Sequence, residues 1–196
     1  MTKNTVNKFL QSLFTKTQKI VMTLVVTSVF GSHLSFAQVS GEYQLKSVFL
    51  INFVRLIDWP VTLEDANVFN LCSIKNSKIN PSLTKFQGKV AKNKKINIRL
   101  IDSLDNADEC SLLFLEDSND QLVKLPGMPV NQQLLLVSDS EGFADCLGHI
   151  ELAVDKNKSN KLALRINKQN VERDGFRVSS RILIRSTVLD STECKQ

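Results

Sequence analysis

The chain has few of the residues that catalytic and metal sites require. It contains two histidines and four cysteines, and no two cysteines have the short spacing of a structural zinc site. The glycine-rich pattern G-x-G-x-x-G and the P-loop are missing, as is the nucleophile pattern G-x-S-x-G. These absences argue against a zinc centre, a nucleotide-binding loop and the common serine hydrolases. The sequence therefore predicts a protein with no catalytic residues, no metal and no cofactor.

Acidic residues are absent from the first 37 positions, which carry four lysines. An apolar run over 20–30 follows these lysines, and Ser35-Phe36-Ala37 then places small residues at the −3 and −1 positions of a signal-peptidase site. That order is typical of a secretory signal, so residues 1–37 are predicted to be a cleavable leader. An uncleaved membrane anchor is the alternative, but the run is shorter than the ~20 apolar residues that a spanning helix needs.

Little net charge remains once that leader is removed. The whole chain has 25 Lys and Arg residues against 20 Asp and Glu. Because four of the basic and none of the acidic residues lie in the leader, residues 38–196 have 21 against 20, a net charge of about +1. A nucleic-acid-binding protein needs a basic surplus to displace counterions from phosphates, so that class is excluded. Residues 38–190 are predicted to form one domain and residues 191–196 a flexible tail.

The four cysteines, Cys72, Cys110, Cys146 and Cys194, would lie in an oxidising compartment after export. Four thiols allow three complete pairings, and the sequence alone does not choose among them. A disulfide in this chain has two interpretations. It is either a structural cross-link, the common case in secreted domains, or a bond whose redox state controls function.

Hydrophobic periodicity predicts an α/β fold. Apolar residues spaced by three and four predict a helix over 42–57, which Asp58-Trp59-Pro60 ends because proline disfavours helical geometry in the residue before it. Further helices are predicted over 80–90 and over 119–125. A last helical region is predicted to start after Asn167, a good N-cap, and to reach about 187 with a break at Gly175, before a polar tail. Six segments are predicted as strands: 68–74, 96–100, 111–115, 133–138, 149–154 and 162–166, the last two forming a hairpin. The predicted architecture is a single-domain mixed β-sheet of about five to six strands flanked by helices on both faces, a three-layer sandwich.

The loop over 138–148 is the first candidate binding site. It leaves the carboxyl end of a predicted buried strand, where open α/β sheets usually bind ligands. Ser138, Asp139, Glu141 and Phe143 would present a hydroxyl, two carboxylates and an aromatic side chain. The alternative is a tight turn in which the aromatic ring folds inward.

A cationic ridge is the second candidate site. Arg173, Arg177, Arg181 and Arg185 recur every four residues, and in an unbroken helix they would face an acidic partner or a phosphate. Arg177 and Arg181 are the candidate contact residues. A solvated helix face is the alternative, since charge runs are usually solvated.

One arrangement could suggest hydrolysis, because Ser138-Asp139 is followed ten residues later by His149. Hydrolase catalysis needs a base within hydrogen-bond reach of the nucleophile and an oxyanion hole. The nucleophile pattern is missing, and His149 opens a predicted strand. The sequence does not predict an enzyme.

Several segments together resemble the YfiR family of periplasmic proteins. They are, in family order, Glu42-Tyr43-Gln44-Leu45-Lys46 with Phe49 and Asn52-Phe53, Asp58-Trp59-Pro60, Phe69-Asn70-Leu71-Cys72, Val137-Ser138-Asp139 with Gly142-Phe143-Ala144, Leu164-Arg165-Ile166-Asn167, and Gly175-Phe176-Arg177-Val178-Ser179-Ser180-Arg181-Ile182-Leu183. These segments span essentially all of the chain after the leader. A helix followed by Trp-Pro at one end and Gly-aromatic-x-x-Ser-Ser at the other make a fairly specific pair.

The resemblance implies a regulator and not an enzyme. The best understood type is an exported, dimeric repressor that binds the periplasmic sensor domain of an inner-membrane diguanylate cyclase, and so restrains cyclic-di-GMP synthesis and biofilm formation. A peptidoglycan-associated outer-membrane lipoprotein can sequester that repressor. The chain is therefore expected in the periplasm, as a homodimer. A periplasmic small-molecule sensor or carrier, suggested by the loop over 138–148, is the alternative function.

The resemblance also assigns the cysteines in part. It implies a Cys72–Cys110 disulfide. Closing a loop between cysteines 38 residues apart would stabilise the fold by ~4 kcal/mol on the chain-entropy model. Cys146 matches one half of a second family pair, but the partner expected about seven residues later is absent, since residues 152–154 are Leu-Ala-Val. Either Cys194 has become the partner or Cys146 is a free thiol. The family's redox control through that second bridge is left open.

Overall fold

A computed structural model describes residues 34–60, 67–117, 133–146, 148–155 and 161–190. The chain divides into two compact units, Met1–Glu42 and Tyr43–Gln196. Of the first unit, residues 34–42 are described, and they are helical. The second unit carries the sheet and the sites considered below. The predicted helix over 119–125 and the predicted tail over 191–196 lie outside the described residues.

Helix α1 (Leu34–Leu56) confirms the helix predicted over 42–57. Leu50, Phe53 and Val54 are buried in the main core cluster, because residues three and four apart share one side of a helix. The helix ends shortly before Trp59, whose Nε1 donates to the Val54 carbonyl at 3.3 Å. Among the described residues, no helix has both the length and the apolar character that crossing a membrane requires.

The strands form one large mixed sheet and one small ladder. In chain order they are β1 (Ile57–Asp58), β2 (Val68–Ile74), β3 (Val90–Ala91), β4 (Lys94–Ile101), β5 (Leu112–Leu115), β6 (Leu135–Ser138), β7 (Ile150–Asp155), β8 (Lys161–Asn167), β9 (Arg177–Val178) and β10 (Thr187–Leu189). The large sheet has eight strands in the order β10-β8-β7-β6-β5-β2-β4-β3, and β1 pairs with β9 separately. Strands β4, β2, β5, β6 and β7 are parallel neighbours, whereas β8 runs antiparallel to β7.

The two faces of the sheet carry separate apolar clusters, because successive side chains of a strand point to opposite faces. Leu71 and Phe114 belong to the main cluster, whereas Cys72 and Leu113 belong to the second. Helices α1, α2 (Asn80–Leu83), α3 (Lys168–Arg173) and α4 (Ser180–Leu183) are on the side of the main cluster, and the 3-10 turns Leu104–Asn106 and Phe143–Asp145 are on the other. The predicted α/β sandwich is confirmed.

Two predicted helices are shorter than expected, and edge strands follow them. The helix predicted over 80–90 ends after α2 and the 3-10 turn Thr84–Phe86, because Gly88 adopts a φ of +74° and the chain turns into the β3–β4 hairpin. The helix predicted to reach about 187 ends with α4, and the next residues pair with β8 as β10, which satisfies their backbone groups. The sheet therefore has eight strands instead of five to six, while the six predicted strands are all present.

Candidate interaction site

A buried polar cluster lies at the carboxyl ends of β2, β5 and β6. Ser138 is fully buried, and its Oγ accepts a hydrogen bond from the Ser140 N–H at 3.0 Å. Asp139 accepts from the Asp117 N–H at 2.6 Å and forms a 2.7 Å ion pair with Lys46 of α1, in which neither side chain is more than 5% exposed. The loop predicted to bind a ligand therefore begins with a carboxylate that is already bound to helix α1.

Glu116, which follows β5, is the second buried carboxylate of this cluster. Tyr43 Oη donates to one of its oxygens at 2.7 Å. The Ser77 Oγ and the Lys78 N–H donate to the other at 2.8 Å and 2.9 Å. Burial raises the pKa of Glu116, but these three hydrogen bonds and the nearby charge of Lys78 together outweigh it and hold the pKa below its ordinary value. The carboxylate is therefore charged and fully engaged with side chains and backbone of its own chain.

This polar cluster coincides with the topological switch point of the sheet. The chain leaves β2 for β4 on one side and then crosses to β5 on the other side of β2. Open α/β sheets usually bind ligands in the crevice outside the strand ends at such a point. Here Tyr43 and Lys46 of α1 contact the strand-end carboxylates. Burial raises the pKa of Asp139 while Lys46 opposes that effect. The usual ligand position is taken by the protein's own helix.

The described residues in the rest of the loop form a closed turn. Glu141 is exposed, whereas Phe143 packs into the second core cluster, as the inward-turn alternative predicts. Gly148 passes so close to the Phe143 ring that a Cβ added there would lie 2.1 Å from ring atoms. Asn170 Nδ2 donates to the carbonyls of Cys146 and Gly148 at 3.0 Å and 2.9 Å, which holds the turn against α3.

A second ion-paired cluster, which the sequence analysis missed, holds the same turn to β8. Arg165 is paired with both Asp145 and Glu151, and its Nη1 lies 3.0 Å from Glu151 Oε2. Glu151 is buried, which raises its pKa, and it accepts a hydrogen bond from the Ala144 N–H at 3.3 Å. The register of the β7–β8 hairpin places Glu151 opposite Arg165. That register is the signal that could have predicted the pair.

His149 and Asp174 form a buried hydrogen-bonded pair, so the imidazole is not a free base. His149 Nε2 lies 2.8 Å from Asp174 Oδ2, and Nδ1 accepts from the Leu136 N–H at 2.9 Å. Both ring nitrogens are therefore engaged. Burial raises the pKa of Asp174, but hydrogen bonds from His149 and Arg173 outweigh it and hold the pKa well below the usual range. In the part of the chain that the structure describes, no group of three or more His, Cys, Asp or Glu side chains could hold a metal ion.

The four predicted ridge arginines lie in different environments, because the helix is broken at Gly175. Arg173 is ion-paired with Asp174 at 2.8 Å. Arg177 is exposed in β9, in register with Asp58 of β1. Only Arg181 and Arg185 share a surface feature, since both line one groove of about 690 Å³.

This groove, termed the α1–α4 groove, lies between α1, β8 and α4. Its apolar walls include Phe49, Phe53, Leu162 and Ile182, and Asn52 adds a polar group. Ile184 at its edge is 83% exposed, the most exposed large apolar side chain within the described ranges. An apolar groove bordered by arginines is typical of a surface that binds another molecule, because Arg and large apolar groups are enriched in interface cores.

All three cysteines of the described residues are disulfide-bonded. Cys72 in β2 is bonded to Cys110 just before β5, with the Cα atoms 5.8 Å apart, which confirms the pair implied by the resemblance. Cys146 is also disulfide-bonded, so it is not a free thiol. Its expected partner, Cys194, lies outside the described residues, and the Cys146–Cys194 pairing stays a prediction.

Comparison with known proteins supports the resemblance seen in the sequence. A family model described as YfiR/HmsC-like matches residues 43–185, a range that extends from the buried part of α1 to the residues just after α4. No curated protein gives a significant match. Because the matched range covers more than half of the sequence, the chain belongs to the YfiR/HmsC-like family.

Proposed function

We propose that this protein is a periplasmic, non-enzymatic regulator that binds the periplasmic sensor domain of an inner-membrane diguanylate cyclase and represses cyclic-di-GMP synthesis. The observation that carries the proposal is the family match over residues 43–185. The proposal includes export by the leader over 1–37, a homodimeric state and release by an outer-membrane lipoprotein, as the resemblance implies. It also includes redox control through the disulfides.

The geometry of the polar clusters supports a binding role over catalysis. His149 has both nitrogens engaged, and the strand-end carboxylates Asp139 and Glu116 are bound by Lys46 and Tyr43. A general base must be able to reach a substrate proton, and these groups are committed to contacts that hold α1 and the loop in place. These polar groups therefore have a structural role.

The α1–α4 groove is the surface that best fits a protein partner. Hot-spot residues of interfaces sit in desolvated pockets and are enriched in aromatic side chains and arginine. The groove supplies an aromatic wall from Phe49 and cations from Arg181 and Arg185, with Ile184 exposed at the edge. Its partner would insert an apolar side chain flanked by carboxylates. Arg181, predicted from the sequence, contributes to this surface, whereas Arg177 lies outside the groove lining.

Binding to the cognate sensor domain tests this proposal. The full chain is expressed, the exported form is purified, and its affinity for the sensor domain is measured with Arg181→Glu and with the control Lys168→Glu. Both positions are exposed cations at short helices. Arg181→Glu is expected to weaken binding at least tenfold, because two like charges facing each other across an interface cost several kcal/mol. The control is expected to bind like the parent. Equal effects of the two variants, or no binding by the parent, would count against the proposal.

One observation favours the alternative function, a small-molecule sensor or carrier. The groove volume of about 690 Å³ falls within the range of ligand pockets, roughly 300–1,000 Å³. Thermal unfolding of the purified protein with millimolar nucleotides and amino acids tests this alternative. A stabilising shift that Arg181→Glu removes would support it, and no shift with any compound would argue against it.

A further inference from the structure

Basic residues are concentrated in one segment of a protein whose overall net charge after the leader is close to zero. Residues 75–101 contain seven lysines and one arginine and no acidic residue. This segment forms α2, β3 and β4, so the charge lies at one edge of the sheet. Since the chain after the leader has a net charge of only about +1, the rest of the domain is acidic and the charge distribution is strongly polarised.

Ion pairing and burial divide these eight cations into three groups. Four of them pair with carboxylates: Lys75 with Asp102, Lys78 with Glu116, Lys92 with Asp58, and Arg99 with Glu109. Lys94 is buried. The other three, Lys85, Lys89 and Lys95, are exposed and have no ion-pair partner within the described residues.

The unpaired lysines surround exposed apolar residues. Lys89 lies over the Phe86 ring at 4.9 Å and lines a groove of about 260 Å³ with Val48, Val90 and the exposed Arg55. Val48 and Val90 are 44% and 63% exposed. Lys95 is the register partner of Val90 in the β3–β4 hairpin, and Lys85 precedes Phe86. We term this surface, made by Arg55, Lys85, Lys89, Lys95, Val48 and Val90, the basic edge.

We propose that the basic edge binds the surface of an anionic phospholipid bilayer. Three features favour a bilayer over a protein partner. Lysine is depleted in protein interfaces, whereas clusters of flexible lysines with a few exposed apolar side chains suit a diffuse layer of anionic headgroups. The cations point outward without acidic neighbours of their own segment. The exposed valines sit among them, where they can reach the headgroup region.

This inference rests on the proposed function for its biological setting, because a regulator held at the membrane is concentrated beside a membrane-bound cyclase. Its test needs no cyclase. The chain is expressed in full and the form that accumulates is purified. Its co-sedimentation is measured with vesicles of phosphatidylcholine alone and of phosphatidylcholine with about 30% phosphatidylglycerol, whose anionic headgroups give the bilayer a negative surface potential. The N-terminus is identical in all variants, so any contribution of the leader is common to them.

A matched pair of double variants isolates the basic edge. Lys89→Gln/Lys95→Gln removes two of its lysines, and Lys161→Gln/Lys168→Gln removes two exposed lysines on β8 and α3 with the same change in net charge. Each lysine near an anionic bilayer is worth roughly a fivefold change in partitioning, so the first variant should bind roughly twenty-five-fold more weakly than the parent. The second should bind like the parent, and high salt should release the parent.

Three results would overturn the proposal. They are absence of binding by the parent at low salt, equal binding to neutral and anionic vesicles, and equal weakening in the two double variants. If the basic-edge lysines instead proved necessary for retention by the sensor domain in detergent, the surface would belong to a protein interface. If the parent protein binds anionic vesicles but does not bind the sensor domain, the proposed function is refuted and the membrane proposal stands.

Discussion

Replacing Lys46 with methionine tests how helix α1 is fastened to the sheet. The Lys46 ammonium group lies 2.7 Å from Asp139 Oδ2, with the two side chains 3% and 5% exposed. The substitution keeps a long apolar stem but leaves the carboxylate with the Asp117 N–H, at 2.6 Å, as its described partner. Removing one member of a buried ion pair costs about 3–5 kcal/mol. The free energy of unfolding at pH 7 should fall by that amount.

The pH dependence of this loss identifies its cause. Burial already raises the pKa of Asp139, and without Lys46 the pKa should rise further. A carboxylate whose folded pKa exceeds its unfolded value destabilises the fold only when the pH is above that unfolded value, about 3.9. The difference between parent and Lys46→Met should therefore be largest at pH 7 and shrink as the pH falls toward 4.

Urea unfolding of the parent, Lys46→Met and Lys46→Met/Asp139→Leu measures these differences. The double variant removes both charges and should recover most of the lost stability, because apolar replacements of buried ion pairs are often neutral. A loss below about 1 kcal/mol in Lys46→Met would refute the argument, since that is the size expected of a solvated surface pair. A loss that is independent of pH would assign the effect to packing instead of charge.

Three further predictions concern stability. Cys72→Ala/Cys110→Ala should lower the free energy of unfolding by about 4 kcal/mol relative to the oxidised parent, from the 38-residue separation, and a urea midpoint unchanged from the parent would contradict this. The pKa of Asp174 is lowered in the fold, so the ionised carboxylate stabilises the protein when the pH is above the unfolded pKa of about 3.9, and this stabilisation is lost as the pH falls below that value. Asp174→Asn should therefore make the free energy of unfolding less dependent on pH in the acid range. An unchanged dependence on pH would refute the assignment. Gly148→Ala should destabilise by about 1–3 kcal/mol because its Cβ would meet the Phe143 ring, and a thermal midpoint equal to the parent's would show that the ring can move.

The central strands could be predicted from the sequence because strands buried on both faces consist almost entirely of apolar residues. Residues 111–115 are a continuous apolar run, and β5 is buried along its whole length between two parallel neighbours. The end of α1 was predictable for a similarly local reason, since Pro60 restricts the residue before it. Asn167 was correctly expected to cap a helix, and its side chain accepts from the Asn170 N–H.

The two edge strands could not be predicted, for different reasons. β10 is three residues long and depends on β8 for its register, so its own sequence carries little signal. β3 pairs locally, through a hairpin with β4 in which Lys92 and Asn93 adopt positive φ, but it is only two residues long and so has no periodicity of its own. In both cases a helical pattern nearby was extended too far.

The ion-pair partners within the polar clusters were missed for a different reason. Lys46 lies on the same side of α1 as Leu50 and Phe53, being four and seven residues before them, and a lysine in an apolar stripe indicates a buried acidic partner. That signal could have been used. The identity of the partner, Asp139, could not be predicted, because 93 residues separate it from Lys46 in the sequence and only the sheet order brings the two together.

The most direct measurement of the proposed function is the cellular level of cyclic-di-GMP in a strain that carries the cognate cyclase. Deleting the gene for this chain should raise that level, and restoring the parent chain should lower it again, whereas restoring Arg181→Glu should not. A level that does not change on deletion would contradict the proposal that this protein restrains the cyclase.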